Sequence, residues 1–308
     1  MTTPARSVAG RVSDTFWRRP GVLLALLLLP PGLWLGIIYL GSLFALLAQS
    51  FFSIDEYSGV IDYSLTLKTY GELLRPANLD IIGRTVLMAA LVTVASVAVA
   101  FPIAYYAARY ARGRWKALFY LGAMVPLWSS YLVKVYAWKL ILAKEGIIGW
   151  LFSSLGITPL LEAYLALPVV GGNSLSVSLT GTFIVFVYVW LPYMILPIQA
   201  ALERVPPSVI EAAGDLGATP AQAFRTVLWP LALPGVVAGS IFTFSLTLGD
   251  YIIPQIIGTS ARFIGLAVYQ YQGTAGNIPL AAAFAVVPVV IMGIYLTVAR
   301  RMGAFDAM

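Results

Sequence analysis

The residues of this 308-residue chain that can do chemistry are few. Histidine and cysteine do not occur. Their absence removes thiol nucleophiles, disulfides, an imidazole general base and metal sites of the Cys/His type. The pair Gly-Lys occurs nowhere, so no G-x-x-x-x-G-K-[ST] loop is present to cradle nucleotide phosphates. What remains is binding chemistry. Asp250 is the one acid inside an apolar run, where a carboxylate either attracts a cation or pairs with Lys134 or Lys139 to hold helices together. Tyr131, Tyr136 and Trp138 share one such run, and Tyr188, Trp190 and Tyr193 share the next. Their ring faces suit ammonium groups, and rings near span ends also serve as interface anchors. Lys134 and Lys139 oppose a purely cation-attracting path, and their long stems suit snorkelling toward headgroups. A second group, Glu211, Ala212, Ala213, Asp215, Gly217 and Pro230, lies in a polar stretch that is either a stable loop whose Glu211 only caps a helix or a docking site whose small residues let another protein approach closely.

The elements that must position these groups follow from composition. Apolar residues make up 60% of the chain and charged residues 10%, and mean hydropathy is +0.88. A soluble domain carries roughly a quarter charged residues, so the bilayer is the solvent. Its core of about 30 Å needs about 20 apolar residues per helical crossing. Six continuous runs qualify, at about 21–49, 86–108, 117–142, 179–202, 232–252 and 280–300. They are continuously apolar, not alternating, which favours helices over barrel strands. The fold expected is therefore an all-α integral membrane protein of six transmembrane helices. A short tail, 1–20, precedes a transmembrane domain, 21–308.

Net charge is +6, and its distribution points to membrane orientation and away from nucleic acid. Arg6, Arg11, Arg18, Arg19, Arg109, Arg112, Arg114, Lys116, Arg204, Arg225, Arg300 and Arg301 fall on one side of the expected spans. The excess of Lys and Arg marks that side as cytoplasmic, with both termini inside. The N-terminus imitates a secretory signal, but its apolar run is too long for a signal core and reads as a retained first helix. On the opposite side, Leu67–Leu74 and Ile147–Leu155 read as short surface helices, either docking surface or interfacial cover.

The polar insert 203–230 reads as two short helices joined by a turn. Pro206 and Pro207 stop the fourth run. Ser208 and Glu211 have the spacing of a capping box, which predicts a helix over Val209–Leu216. Gly217 is placed to end it in the left-handed conformation. Thr219 is a second N-cap, with Pro220 at the first helical position and Gln222 three residues after the cap.

Glu211-Ala212-Ala213, Gly217, Val227, Leu228 and Pro230 stand in the register EAA-x3-G-x9-I-x-L-P. This resembles the signature of the membrane subunits of binding-protein-dependent ABC importers, with Val227 for Ile and Trp229 for Leu. Pro126–Trp138 (PLWSSYLVKVYAW), Ser64–Tyr70, Glu145–Ile148 and Leu248–Pro254 are similar to spermidine/putrescine-type permeases. Lys134 stands where those permeases usually carry Arg, and Gly149 where they usually carry Asn.

The resemblance implies a type I ABC importer permease fold in a bacterial inner membrane. It makes 203–230 a coupling-helix loop, with Glu211 meeting a basic group of a cytoplasmic ATPase dimer and Gly217 forming the turn. It implies no cofactor in this chain, with ATP and Mg on the ATPase. The expected partners are a second homologous permease, the ATPase dimer, an extracytoplasmic substrate-binding protein and the lipid bilayer. The expected cargo is a polyamine, moved by alternating access. Alternatives are another small solute, such as an opine, amino-acid derivative or phosphonate, or a self-sufficient secondary transporter. The last would need paired broken helices around midplane ion sites, which the sequence does not offer.

Overall fold

The computed structural model describes residues 20–55, 57–168, 170–259 and 262–301. The expected tail 1–20, with its four arginines, lies outside the described residues apart from Pro20. Among the described residues, five helices are long and apolar enough to cross a membrane, and a bent helix pair makes up to six.

The first crossing is α1 (Pro20–Leu33), a π segment (Trp34–Leu40) and α2 (Gly41–Gln49) in one run. Pro30 and Pro31 lie inside α1. They cannot donate to the preceding turn, and the register relaxes into wider π turns just after them. A small hairpin of β1 (Ser53–Ile54) and β2 (Ile61–Asp62) follows, paired antiparallel with Ser53 opposite Asp62. Helix α3 (Lys68–Leu73) stands where a surface helix was expected.

Helix α4 (Pro76–Arg109) is 34 residues long and begins ten residues before the expected start at 86. Asp80 and Arg84 do not end it, because they pair across one turn and support it. At about 50 Å it projects well beyond a hydrocarbon core.

The third run departs most from expectation. In place of one helix over 117–142 there are two, α5 (Arg114–Trp128) and α6 (Tyr131–Leu142). The axis bends by 98° between Arg114–Trp128 and Tyr131–Ser154. Pro126 has no N–H to give Gly122, and Ser129 and Ser130 are extended. The freed Pro126 carbonyl accepts from Lys134 Nζ at 2.7 Å and Ser129 Oγ at 2.9 Å. Lys134 thus caps the break. Helices α7 (Ile147–Ser154) and α8 (Thr158–Leu165) follow, the first where a surface helix was expected.

Helix α9 (Leu179–Arg204) is capped by Ser178, whose hydroxyl accepts from Gly181 N at 3.0 Å. Helix α10 (Pro207–Asp215) leads to α11 (Pro220–Ala223), which runs without a break through a π turn (Phe224–Leu228) into α12 (Trp229–Gly249). The fifth crossing therefore starts at 220, not 232, and ends at 249, not 252. Pro230 sits inside this continuous helix, and Trp229 N donates to Phe224 O in the i→i−5 pattern just before it. The wider turn accommodates the missing proline donor. Three helices remain, α13 (Ile252–Ile256), α14 (Ile264–Gln272) and α15 (Ile278–Arg301).

Helices α4, α9 and α12 form the centre and pack on one another. Small residues let α12 approach α9: Gly235 lies against Pro197, Ile198 and Ala201, and Gly239 against Met194. This is the close helix contact that a bilayer, offering no hydrophobic force between helices, demands. One apolar cluster, with Phe186, Trp190, Ile253 and Ile257, fills the half near Asp250. Another, with Phe101, Met194, Ile198, Leu202 and Leu228, fills the half near 203–230.

Candidate functional site

The polar insert is built as a helix, a turn and a helix. Its first helix begins at Pro207, with Pro206 as N-cap and no side-chain cap. The expected Ser208–Glu211 capping box does not form. Pro207 takes the first helical position, where a fixed φ and a missing donor are no loss, so Ser208 falls inside the helix. The Glu211 carboxylate is left exposed. Ala212 and Asp215 are exposed beside it, Ala213 is partly covered, and Ile210 packs back on the bundle. The helix ends in a Schellman pattern: Ala218 N donates to Ala213 O at 3.0 Å and Gly217 N to Gly214 O at 2.8 Å. Gly217 has φ +83. Thr219 and Gln222 then form a complete capping box.

A Cβ at Gly217 meets nothing within 4 Å, so only the backbone conformation demands glycine. Gly217→Ala is expected to cost about 1–2 kcal/mol locally. The measurement is amide exchange over residues 212–218, which rises in the variant while the spans keep their protection.

The loop is seated on rings. Phe101 of α4 lies 5.7 Å from Phe224 and 5.3 Å from Trp229, centroid to centroid. Trp229, the departure from the resembled signature, fills this seat. Glu203 accepts from Lys116 at 2.9 Å and from Tyr120 Oη at 2.8 Å, tying α9 to α5. The sequence marked Lys116 only as a charge, and nothing in it paired the two. Leu216, missed from sequence, is 90% exposed at the tip, an apolar knob beside Glu211.

The second group gathers at the far end of α12. The helix stops at Gly249, and Asp250 is extended, outside the crossing in which it was expected. Its Oδ1 accepts from Ile252 N at 2.7 Å and Ile253 N at 3.0 Å, capping α13. Its Oδ2 accepts from Tyr131. Neither Lys134 nor Lys139 forms an ion pair with it. Tyr131 stacks on Trp190 at 5.8 Å, Trp190 meets Tyr193 at 5.9 Å, and Tyr193 meets Phe242 at 6.4 Å. Acid and rings border an open cleft of about 320 Å³. Trp190 Nε1 is buried and has no hydrogen-bond partner among the described residues. Trp138 and Tyr188 form a separate pair at 5.0 Å, and Tyr136 is exposed, with no ring contact among the described residues.

The cleft can therefore offer an unpaired carboxylate and stacked ring faces to a cation. Asp250→Asn separates charge from capping, because asparagine caps as well as aspartate. It is expected to leave thermal stability in detergent unchanged and to lower uptake of a cationic solute about tenfold. Asp250→Ala loses the cap as well, at about 1 kcal/mol. Full uptake by the Asn variant would make Asp250 purely structural.

Residues 100–304 match a family described as binding-protein-dependent transport system inner membrane component. The chain is 54% identical over 308 residues to the inner membrane ABC transporter permease protein YdcU of Escherichia coli K12, covering 100% of this chain and 98% of that one. It is 26% identical over 259 residues to the spermidine/putrescine transport system permease protein PotB of the same organism, covering 83% and 89%. Among solved structures, a chain of a bacterial ABC transporter involved in import of the acidic polysaccharide alginate has a TM-score of 0.67 at 18% identity, covering 94% of this chain and 99% of that one.

Proposed function

The chain belongs to the family of binding-protein-dependent transport system inner membrane components, and from that premise we propose that its cargo is a small organic cation of the polyamine class. As a member it is a multi-pass inner-membrane permease subunit of an ABC importer, and ATP hydrolysis belongs to a separate subunit. The observation that carries the cargo reading is the cleft where Asp250, bonded by Tyr131, borders the stacked Tyr131–Trp190 pair. A carboxylate without a counter-cation among the described residues, beside ring faces at stacking distance, is what an ammonium chain binds. The similarity to a spermidine/putrescine permease supports the same reading.

The complex proposed holds this chain, a second homologous permease, an ATPase dimer that binds ATP and Mg, and an extracytoplasmic binding protein. Both termini lie on the cytoplasmic side, with 203–230. Glu211, Ala212, Ala213, Asp215 and Gly217 form the face that enters the ATPase, and Pro230 anchors the following helix. Closure of the ATPase on ATP would displace α10, and α9 and α12, continuous with the loop at either end, would carry that motion to the cleft as a rigid-body change.

A second reading has one observation in its favour. The buried, unpartnered Nε1 of Trp190 is a donor that a polyamine cannot use. An amino-acid derivative, with an ammonium for Asp250 and a carboxylate for Trp190, would use both. The test is ATP-driven uptake of radiolabelled putrescine and spermidine by the reconstituted complex. Saturable uptake that falls in Asp250→Asn is expected. Uptake of an amino-acid derivative with no polyamine uptake would replace the first reading by the second.

A further inference from the structure

Arg109 ends α4, and its guanidinium has no part in the docking face or the cleft. Its Nη1 donates to the carbonyl of Val205, 2.9 Å away and 96 positions along the chain. Val205 is the C-cap of α9 and is 5% exposed. This carbonyl needs a donor from elsewhere. Pro206 and Pro207 follow it without N–H groups, and Val209 N donates to Pro206 O at 3.2 Å. Arg109 supplies the donor where the negative ends of α4 and α9 meet, so its charge favours both.

The same side chain is underused. Nε and Nη2 are shut off from solvent and donate to no acceptor among the described residues. Arginine offers five N–H groups in a fixed fork, and one carbonyl uses one of them. Buried donors left spare are unfavourable in a single static arrangement. They suit a joint at which acceptors change.

We propose that Arg109 is a positioning residue that ties the end of α4 to the hinge between α9 and the docking helix α10, so that a displacement of α10 moves both long helices together. The spare donors keep the tie while the hinge turns, exchanging Val205 for neighbouring carbonyls. The proposal rests on the reading of 203–230 as the ATPase contact. It adds a polar tie to the ring contacts through which Phe101 of α4 meets Phe224 and Trp229. The other described tie at this end, Lys116 with Glu203, is partly exposed and joins α5, not α4.

The test uses the assembled transporter in proteoliposomes. Amide exchange is followed with and without ATP over residues 100–109 and 207–217, beside solute taken up per ATP hydrolysed. In the wild type both segments should respond to ATP. In Arg109→Gln the response at 207–217 should persist and that at 100–109 should weaken. Uptake per ATP should fall about fivefold, within the range by which intermediary residues change coupling. Arg112→Gln, an exposed neighbour, should behave as wild type. Arg109→Lys keeps the charge but not the fork, so it serves in place of the Gln variant if that one fails to assemble, and it too should weaken the response at 100–109. A wild-type response at 100–109 in either Arg109 variant, or unchanged uptake per ATP, overturns the proposal. Absence of any ATP response at 207–217 in the wild type instead overturns the underlying reading of the loop.

Discussion

Replacing Gly239 by leucine is expected to prevent α9 and α12 from packing and to leave no assembled permease in the membrane. A Cβ at this position would stand 2.7 Å from Met194 Sδ, 3.1 Å from Met194 Cα and 3.2 Å from its carbonyl oxygen. The thioether can swing aside, but the backbone of α9 cannot. Gly235, one turn earlier, is as tight, with Ala201 Cβ and the Pro197 carbonyl oxygen each 2.5 Å from the same construction. Overpacking a core costs about 1–3 kcal/mol even where side chains can adjust, and a contact against backbone lies at or above the top of that range. The whole stability of a domain is about 5–15 kcal/mol. Gly83 makes the control, since a Cβ there meets nothing within 4 Å. Gly83→Leu should accumulate in membranes as the wild type does, while Gly239→Leu should be degraded or fail to bind its partners. Equal accumulation and thermal stability of the two variants would remove the close-packed crossing from the account.

Reversing the charge at Glu211 is expected to abolish ATP-driven uptake while leaving the chain folded. The fold does not need this carboxylate. The expected capping box is replaced by a proline start, and Glu211 is exposed with no hydrogen bond or ion pair among the described residues. A purely structural glutamate would be missed by its own helix, and this one would not. Glu211→Lys should therefore match the wild type in membrane abundance and thermal stability. Loss of a paired charge at an interface costs about 2–5 kcal/mol. With about 1.4 kcal/mol per factor of ten, uptake and ATPase capture should fall about a hundredfold. The readouts are co-purification of the ATPase subunit and uptake by reconstituted vesicles. Normal values in both would mean that the loop docks nothing through this residue.

The loop 203–230 was legible because its signals are local. Thr219, Pro220 and Gln222 determine a helix start within four residues, and Gly217 supplies a conformation that other residues reach at a cost. The one local reading that failed, at Ser208, failed because two cues compete for the same position. A proline at the first helical position outweighed a serine cap, and the helix moved by two residues. The crossings were legible as lengths of apolar chain but not as straight or bent objects. Nothing in 117–142 announced a 98° turn. Proline within a membrane helix is often absorbed by neighbours. Here Lys134 and Ser129 meet the freed carbonyl and so hold the break open.

By itself the sequence determined the solvent, the helical class, the number of apolar runs and the capped turn within 203–230. Each follows from composition, periodicity or residues within a few positions of one another. Only the tertiary structure decided which distant groups meet. Asp250 found Tyr131 and the N-terminus of α13, not a lysine. Arg109 found Val205. The two glycines of α12 found the backbone of α9. The physical reason is that a bilayer rewards burial equally on every face of an apolar helix. Rotation and partner choice are then set by close steric fit and by the few polar groups that must find one another, and neither leaves a periodic trace in the chain.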